Sequence, residues 1–162
     1  MPVETLMKAI MAGISNVLET MFFLPVQFAE GTCSLSEWFF DNQLLVGAEL
    51  SFEGPLSGSL WLLAPVAVTD EITASFLGLG KDEITEEQRA DTIKEALNMI
   101  GGHGLSLFDG KGSFAVGLPR TINGLELLEN THRDSKGTII FIETEHNRLA
   151  AGIELDEEES CY

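Results

Sequence analysis

The sequence predicts an α+β fold made of two similar halves, each a long helix followed by a β-hairpin, with the helices packed on an antiparallel sheet. Three observations predict it. Residues 3–23 and 85–108 both carry apolar side chains at intervals of three or four, the period of an amphipathic helix. Residues 44–52 with 58–63, and 137–143 with 149–154, form two pairs of short apolar segments joined by turn sequences, EGPLS and EHNR. Finally, Ser15, Glu19 and Phe22 repeat the spacing of Asp91, Glu95 and Asn98 at a constant offset of 76 residues.

In the first half, Val3, Leu6, Ile10, Ile14, Val17 and Met21 line one helical stripe, which Leu18 and Phe22 widen, and Pro25 ends the helix. Residues 31–43 have no clean period and are predicted as a loop whose Trp38, Phe39 and Phe40 cover an edge of the core. The first hairpin follows, because Val46, Leu50 and Phe52 alternate and Gly54-Pro55 marks a turn; Pro65 closes its second strand. Residues 70–78 are predicted as a short helix with Ile72, Phe76 and Leu77 as its buried side, and 80–84 as the link to the next helix.

That next helix is the best marked of all. Thr85 and Gln88 have the form of a capping box, and Glu86 and Glu87 put negative charge in the first turn, where the helix dipole favours it. Ile93, Leu97 and Ile100 fall on one face, and Asp91, Glu95 and Asn98 on the opposite one. Spacings of four and three residues make those three direct neighbours along a polar stripe. Each glycine of Gly101-Gly102-His103-Gly104 disfavours a helix by roughly 0.5–1 kcal/mol relative to alanine, so propensity alone would stop the helix there. His103 invites a reading as a general base or metal ligand, but no second ligand lies at helical or strand spacing around it, and a packed or solvated histidine is the simpler expectation. Beyond the helix, 112–118 is predicted as a strand entering Pro119, and 121–130 as a further extended piece with Leu125, Leu127 and Leu128. The Ile-rich second hairpin then mirrors the first.

At 162 residues and 44% apolar content, the chain has the size and composition of one domain, expected over residues 1–154, with an acidic tail at 155–162. Its 26 acidic and 9 basic residues give a formal charge of −17, which opposes nucleic acid and anionic membrane surfaces alike. No apolar run reaches the roughly 18 residues of a spanning helix, so no membrane insertion is expected. Glu4 stands where a signal peptide would be basic, and Lys8, Asn16 and Glu19 interrupt the apolar stretch; a cytoplasmic location is expected. Cys33 and Cys161 have no zinc or redox spacing and read as free thiols.

The frame Asp91-x3-Glu95-x2-Asn98, followed at a distance by Pro119, resembles the signature of the CheC/CheX/FliY chemotaxis phosphatases, and the chain looks most like the CheX branch; the gap to the proline is shorter here than in the family. ETMFFLPV, from Glu19 to Val26, gives softer support. The resemblance implies that the 85–108 helix continues through its glycines, which allow a close neighbour. It also implies that Glu95 and Asn98 enter the active site of a phosphorylated CheY-like response regulator. Asn98 would orient the water that attacks the aspartyl phosphate, and Glu95 would pair with a lysine of the regulator, with Asp91 beside it in the docking surface. Mg2+ would sit on the regulator, and this chain would need no cofactor of its own. A homodimer joined through sheet edges is implied as well. The chemistry suits an amide, which donates and accepts at once, whereas a carboxylate at that position would repel phosphoryl oxygens. Phe22, at the matching position of the first helix, cannot aim a water, so that helix is expected to be catalytically silent. A non-catalytic binding module of the same fold, holding a regulator or a signalling assembly, is the alternative, and it would tolerate loss of the Asn98 amide.

Overall fold

The structure is a computed structural model that describes residues 2–30, 33–39, 44–124 and 137–156. It opens with α1 (Pro2–Met21) and the two-residue strand β1 (Gln27–Phe28). A one-turn helix α2 (Leu35–Trp38) precedes the hairpin of β2 (Leu45–Glu53) and β3 (Gly58–Pro65). Then come α3 (Val66–Leu77), a 3-10 turn (Lys81–Glu83), α4 (Glu86–Phe108), the short strands β4 (Ala115–Val116) and β5 (Arg120–Ile122), and the hairpin of β6 (Gly137–Glu143) and β7 (Arg148–Leu155).

Among the described residues every strand pairing is antiparallel, in the order β1-β6-β7-β3-β2, with β4 and β5 both on the outer side of β2. The two hairpins meet at β3 and β7, where Trp61 lies opposite Gly152. Each half therefore contributes a helix and a hairpin, as the sequence predicts, and the fold is α+β. Alternation along the strands divides the interior into two clusters. Leu60 and Leu62 of β3, Ile140 and Ile142 of β6, and Ala151 and Ile153 of β7 face the helices. Trp61, Leu63, Phe141 and Ala150 face the other way, onto Leu35, Trp38 and Phe39.

The glycines of α4 are where the layers close. The helix runs unbroken through Gly101–Gly104 to Phe108. A Cβ on Gly104 would stand 2.7 Å from Ile10 Cδ1, 3.1 Å from Ile10 Cα and 3.3 Å from the Ala9 carbonyl oxygen, and one on Gly13 of α1 would stand 3.2 Å from Gly104 N. Two helix backbones thus meet where neither carries a side chain. The helical propensity lost at Gly104 is compensated by contacts that any larger residue would prevent.

Four expectations need correction. The 31–43 loop contains a helix, α2, closed by a capping box in which Ser34 and Glu37 exchange hydrogen bonds; one turn is too short to show an apolar period. The helix expected at 70–78 starts at Val66, and its buried face is Val68, Thr69, Ile72 and Thr73, while Phe76 and Leu77, in the last turn before Gly78, are 41% and 44% exposed. The strand expected over 112–118 is two residues long. Pro119 has no N–H to give a ladder, so this edge splits around Gly117–Pro119 into β4 and β5, leaving Leu118 92% exposed. Last, β7 reaches Leu155, one residue into the expected tail. The calls on Leu125, Leu127, Leu128, Phe40 and Cys161 lie outside the described residues.

The glycines give a paired test. Gly102 has open space where a Cβ would go, so Gly102→Ala should raise the unfolding free energy by up to about 1 kcal/mol through helix propensity. Gly104→Ala should lower it, since overpacking of about 1–3 kcal/mol outweighs the same gain. Urea unfolding of both variants reads the difference; equal stabilisation by the two would show that the α1–α4 approach is not tight.

Candidate functional site

The polar stripe of α4 is built by its N-terminus and by the face it buries. Thr85 Oγ1 accepts from Gln88 N at 3.2 Å and Gln88 Oε1 accepts from Thr85 N at 3.0 Å, which fixes where the helix begins. Ile93, Ala96, Leu97 and Ile100 are buried against the sheet and α1. Their burial sets the roll of the helix and leaves Asp91, Glu95 and Asn98 exposed on the far side, as expected. At ~1.5 Å rise per residue, Glu95 and Asn98 are offset by about 4.5 Å along the axis. Asp91 is 65% exposed and pairs loosely with Lys94 Nζ at 3.4 Å. Among the described residues Glu95 has no cation partner.

The matching stripe of α1 has a different ending. Ser15 Oγ lies 3.4 Å from Glu19 Oε1, and Glu19 is exposed. Phe22, however, lies just past the last helical residue and is 1% exposed, its ring tilted against that of Phe76 with centroids 5.1 Å apart. The chain turns inward here, and Phe23 follows with a left-handed φ of 56°. Phe22 is thus part of the core.

Other sequence candidates are placed away from the stripe. His103 is half-buried, and Asn16 Nδ2 of α1 lies 2.9 Å from its Nε2, which commits that nitrogen to helix packing. Among the described residues no group of three or more His, Cys, Asp or Glu is arranged to hold a metal. Pro119 stands in the sheet edge, on a different element from the stripe. Arg120, beside it, donates to Glu49 across the β2–β5 pair, and that hydrogen bond, with the carboxylate charge, raises the guanidinium above its usual range.

The residues that sequence reasoning missed are Phe76 and Leu77. They were expected to be buried, but with Gln88, Asp91, Thr92 and Glu95 they line an open cleft of about 430 Å³ beside the stripe. The signal was present at the helix end: Phe76 and Leu77 are the last two residues before Gly78, whose left-handed φ of 68° terminates α3. Arg89 of α4 donates from Nε to Asp70 Oδ1 of α3 and ties the cleft's two walls together.

Solved structures share this fold over nearly the whole chain. A CheX chemotaxis protein from Vibrio vulnificus superposes with a TM-score of 0.72 at 18% identity, covering 93% of this chain and 96% of its own. A CheX from Desulfovibrio desulfuricans does so with 0.67 at 20% identity, covering 93% and 99%. A complex of CheX with CheY, BeF3 and Mg2+ from Borrelia burgdorferi contains a chain with 0.63 at 15% identity, covering 93% and 97%. The fold is that of the CheX and CheC-like chemotaxis proteins. Residues 46–143 match the family model described as chemotaxis phosphatase CheX, and the chain belongs to that family. Among curated proteins none matches it in sequence. No described helix is long and apolar enough to cross a membrane.

Phe22→Asn would put an amide into an apolar contact and remove a buried ring. It should lower the unfolding free energy by roughly the 3–5 kcal/mol typical of truncating a buried Phe. Chemical denaturation measures it, and a loss below about 1 kcal/mol would mean that the ring does not hold this end of α1.

Proposed function

We propose that this protein is a phosphatase of a phosphorylated CheY-like response regulator, acting on its aspartyl phosphate in chemotaxis or related two-component signalling. The observation that carries the reading is the exposed stripe of Asp91, Glu95 and Asn98 on a helix whose roll is fixed by its buried face. Asn98 stands on a helix flank and Asp91 and Glu95 border only an open cleft, so the three face outward and not into an enclosed cavity of this chain. Such a stripe suits insertion into another protein's active site better than capture of a small substrate.

In this reading the regulator supplies the phosphorylated aspartate and the Mg2+, and this chain supplies positioning. The Asn98 amide accepts from the attacking water through its carbonyl oxygen and donates through its NH2 group to a phosphoryl oxygen, aiming the water in line with phosphorus. Glu95 stands one turn back and pairs with a lysine of the regulator, which fixes the approach. Asp91 extends the acidic rim. Phe22 gives α1 no equivalent group, so one site per chain is active, and Phe22→Asn should gain no second one. The reading places the protein in the cytoplasm. It also includes a homodimer joined through sheet edges, for which the outer side of β6, met among the described residues only by the two-residue β1, offers backbone groups.

Asn98→Ala and Glu95→Ala are expected to fail differently. Losing Asn98 removes an interaction made mainly in the transition state, so turnover should fall on the order of 100-fold with regulator binding largely kept. Losing Glu95 removes one member of a desolvated charge pair, which costs roughly 2–5 kcal/mol, so binding should weaken together with turnover. Phosphate decay from each response regulator of the source cell, with and without each variant, checks both. Acceleration by wild type that Asn98→Ala retains in full would overturn the mechanism. Binding without acceleration would mark a docking module of the same fold.

A further inference from the structure

The cleft between α3 and α4 shares Asp91 and Glu95 with the docking surface described above, but its Phe76, Leu77, Gln88 and Thr92 have no part in that chemistry. Its floor is Phe76, Leu77 and the buried Thr92, and its rim is Gln88, Asp91 and Glu95. Those four α4 residues follow one another at helical spacings and run from Glu95 back toward the helix start, away from Asn98. Asp91 precedes Asn98 by seven residues, about 10 Å along the axis at ~1.5 Å per residue. Whatever fills the cleft is therefore a different group from the one at the phosphoryl site. Glu95 stands between the two.

Two properties of the cleft define its occupant. The floor is apolar, with two large side chains held open to solvent, and the Phe76 ring is backed by the buried Phe22. The rim carries two carboxylates on a chain of formal charge −17, and only Asp91 has a cation near it, Lys94 in a weak surface pair. A purely apolar occupant would desolvate those carboxylates without compensation. A small cation would leave the apolar floor uncovered. A long basic side chain satisfies both, since lysine and arginine lay their methylene stems on apolar surface while keeping the charged head among acceptors, and a cation near Phe76 also gains from the ring face.

We propose that this cleft docks a second basic side chain of the regulator, distinct from the lysine paired with Glu95, its stem on Phe76 and Leu77 and its charged head at Asp91. The proposal rests on the phosphatase reading for the partner's identity, and it makes the α3 end a determinant of which regulator is accepted. Phe22 then acts as a positioning residue in the silent half, holding Phe76 in place for the active one.

The test titrates each variant with the regulator held in complex with BeF3 and Mg2+, at low and high salt, and separately follows phosphate decay over a range of phosphoregulator concentrations up to saturation. Leu77→Ser and Asp91→Asn alter exposed positions, and thermal unfolding checks that both stay folded. Each should weaken binding on the order of tenfold, and each should raise KM more than it lowers kcat. Asp91→Asn should also flatten the salt dependence, whereas Leu77→Ser should not. Wild-type affinity in both variants, with Asn98→Ala still losing turnover, overturns the cleft and leaves the phosphatase reading standing. Weakening by Leu77→Ser alone means an apolar occupant and overturns the basic one. If wild type binds without accelerating decay and both variants bind less, the cleft stands and the phosphatase reading falls. Failure of wild type to bind any regulator overturns both.

Discussion

The close approach of α1 and α4 at Gly13 and Gly104 is the constraint on which the rest of the molecule depends. Where both helices lack a side chain, each backbone fills the other's surface, and the two cannot roll independently. Gly101 does the same toward the sheet, where its missing Cβ would lie 3.2 Å from Leu50 Cδ2. With α4 held on two sides, Ile93, Leu97 and Ile100 have one place to go, and the stripe of Asp91, Glu95 and Asn98 is turned outward as a consequence. The rigidity matters for positioning, since side chains proposed to act inside another protein must be aimed before they arrive.

The two halves show how one plan supports two uses. Both place a helix before a hairpin, and the hairpins join at β3 and β7 into a single sheet. In α4 the third stripe position lies mid-helix and is exposed, because the helix continues for several turns beyond it. In α1 the same position falls at the point where the chain leaves the helix, and the turn carries Phe22 inward to Phe76. Site and support thus arise from one spacing, separated by where each helix ends.

Among the described residues, the far face of the sheet is covered by α2 and its neighbours. Leu35, Trp38 and Phe39 cover Trp61, Leu63 and Phe141, and Trp38 Nε1 donates to the Leu149 carbonyl at 2.7 Å while Arg148 lies 4.6 Å from the centroid of its ring. A four-residue helix with a capping box anchors this cover, and its indole satisfies its own N–H on β7 as it packs.

What the sequence determined by itself was what repeats over several turns or strand residues, whereas the capping box at Ser34, with no such period behind it, was not enough to mark α2. The apolar period of α1 and α4 gave their faces, the capping box at Thr85 gave the start of the site helix, and the alternation of the two hairpins gave the strands that cross the core. The three site candidates were legible for the same reason, since residues at spacings of four and three share a helix face whatever lies around it. Tertiary structure decided what depends on a distant neighbour. Gly104 reads as a helix breaker until Ile10 is seen against it. Phe76 and Leu77 read as core until α4 is seen to place Asp91 beside them at the rim of an open cleft. Pro119 reads as the end of one strand until β2 is seen to pair on both sides of it. In each case local chemistry states a preference, and the partner that overrides it comes from a part of the chain whose position no local pattern encodes.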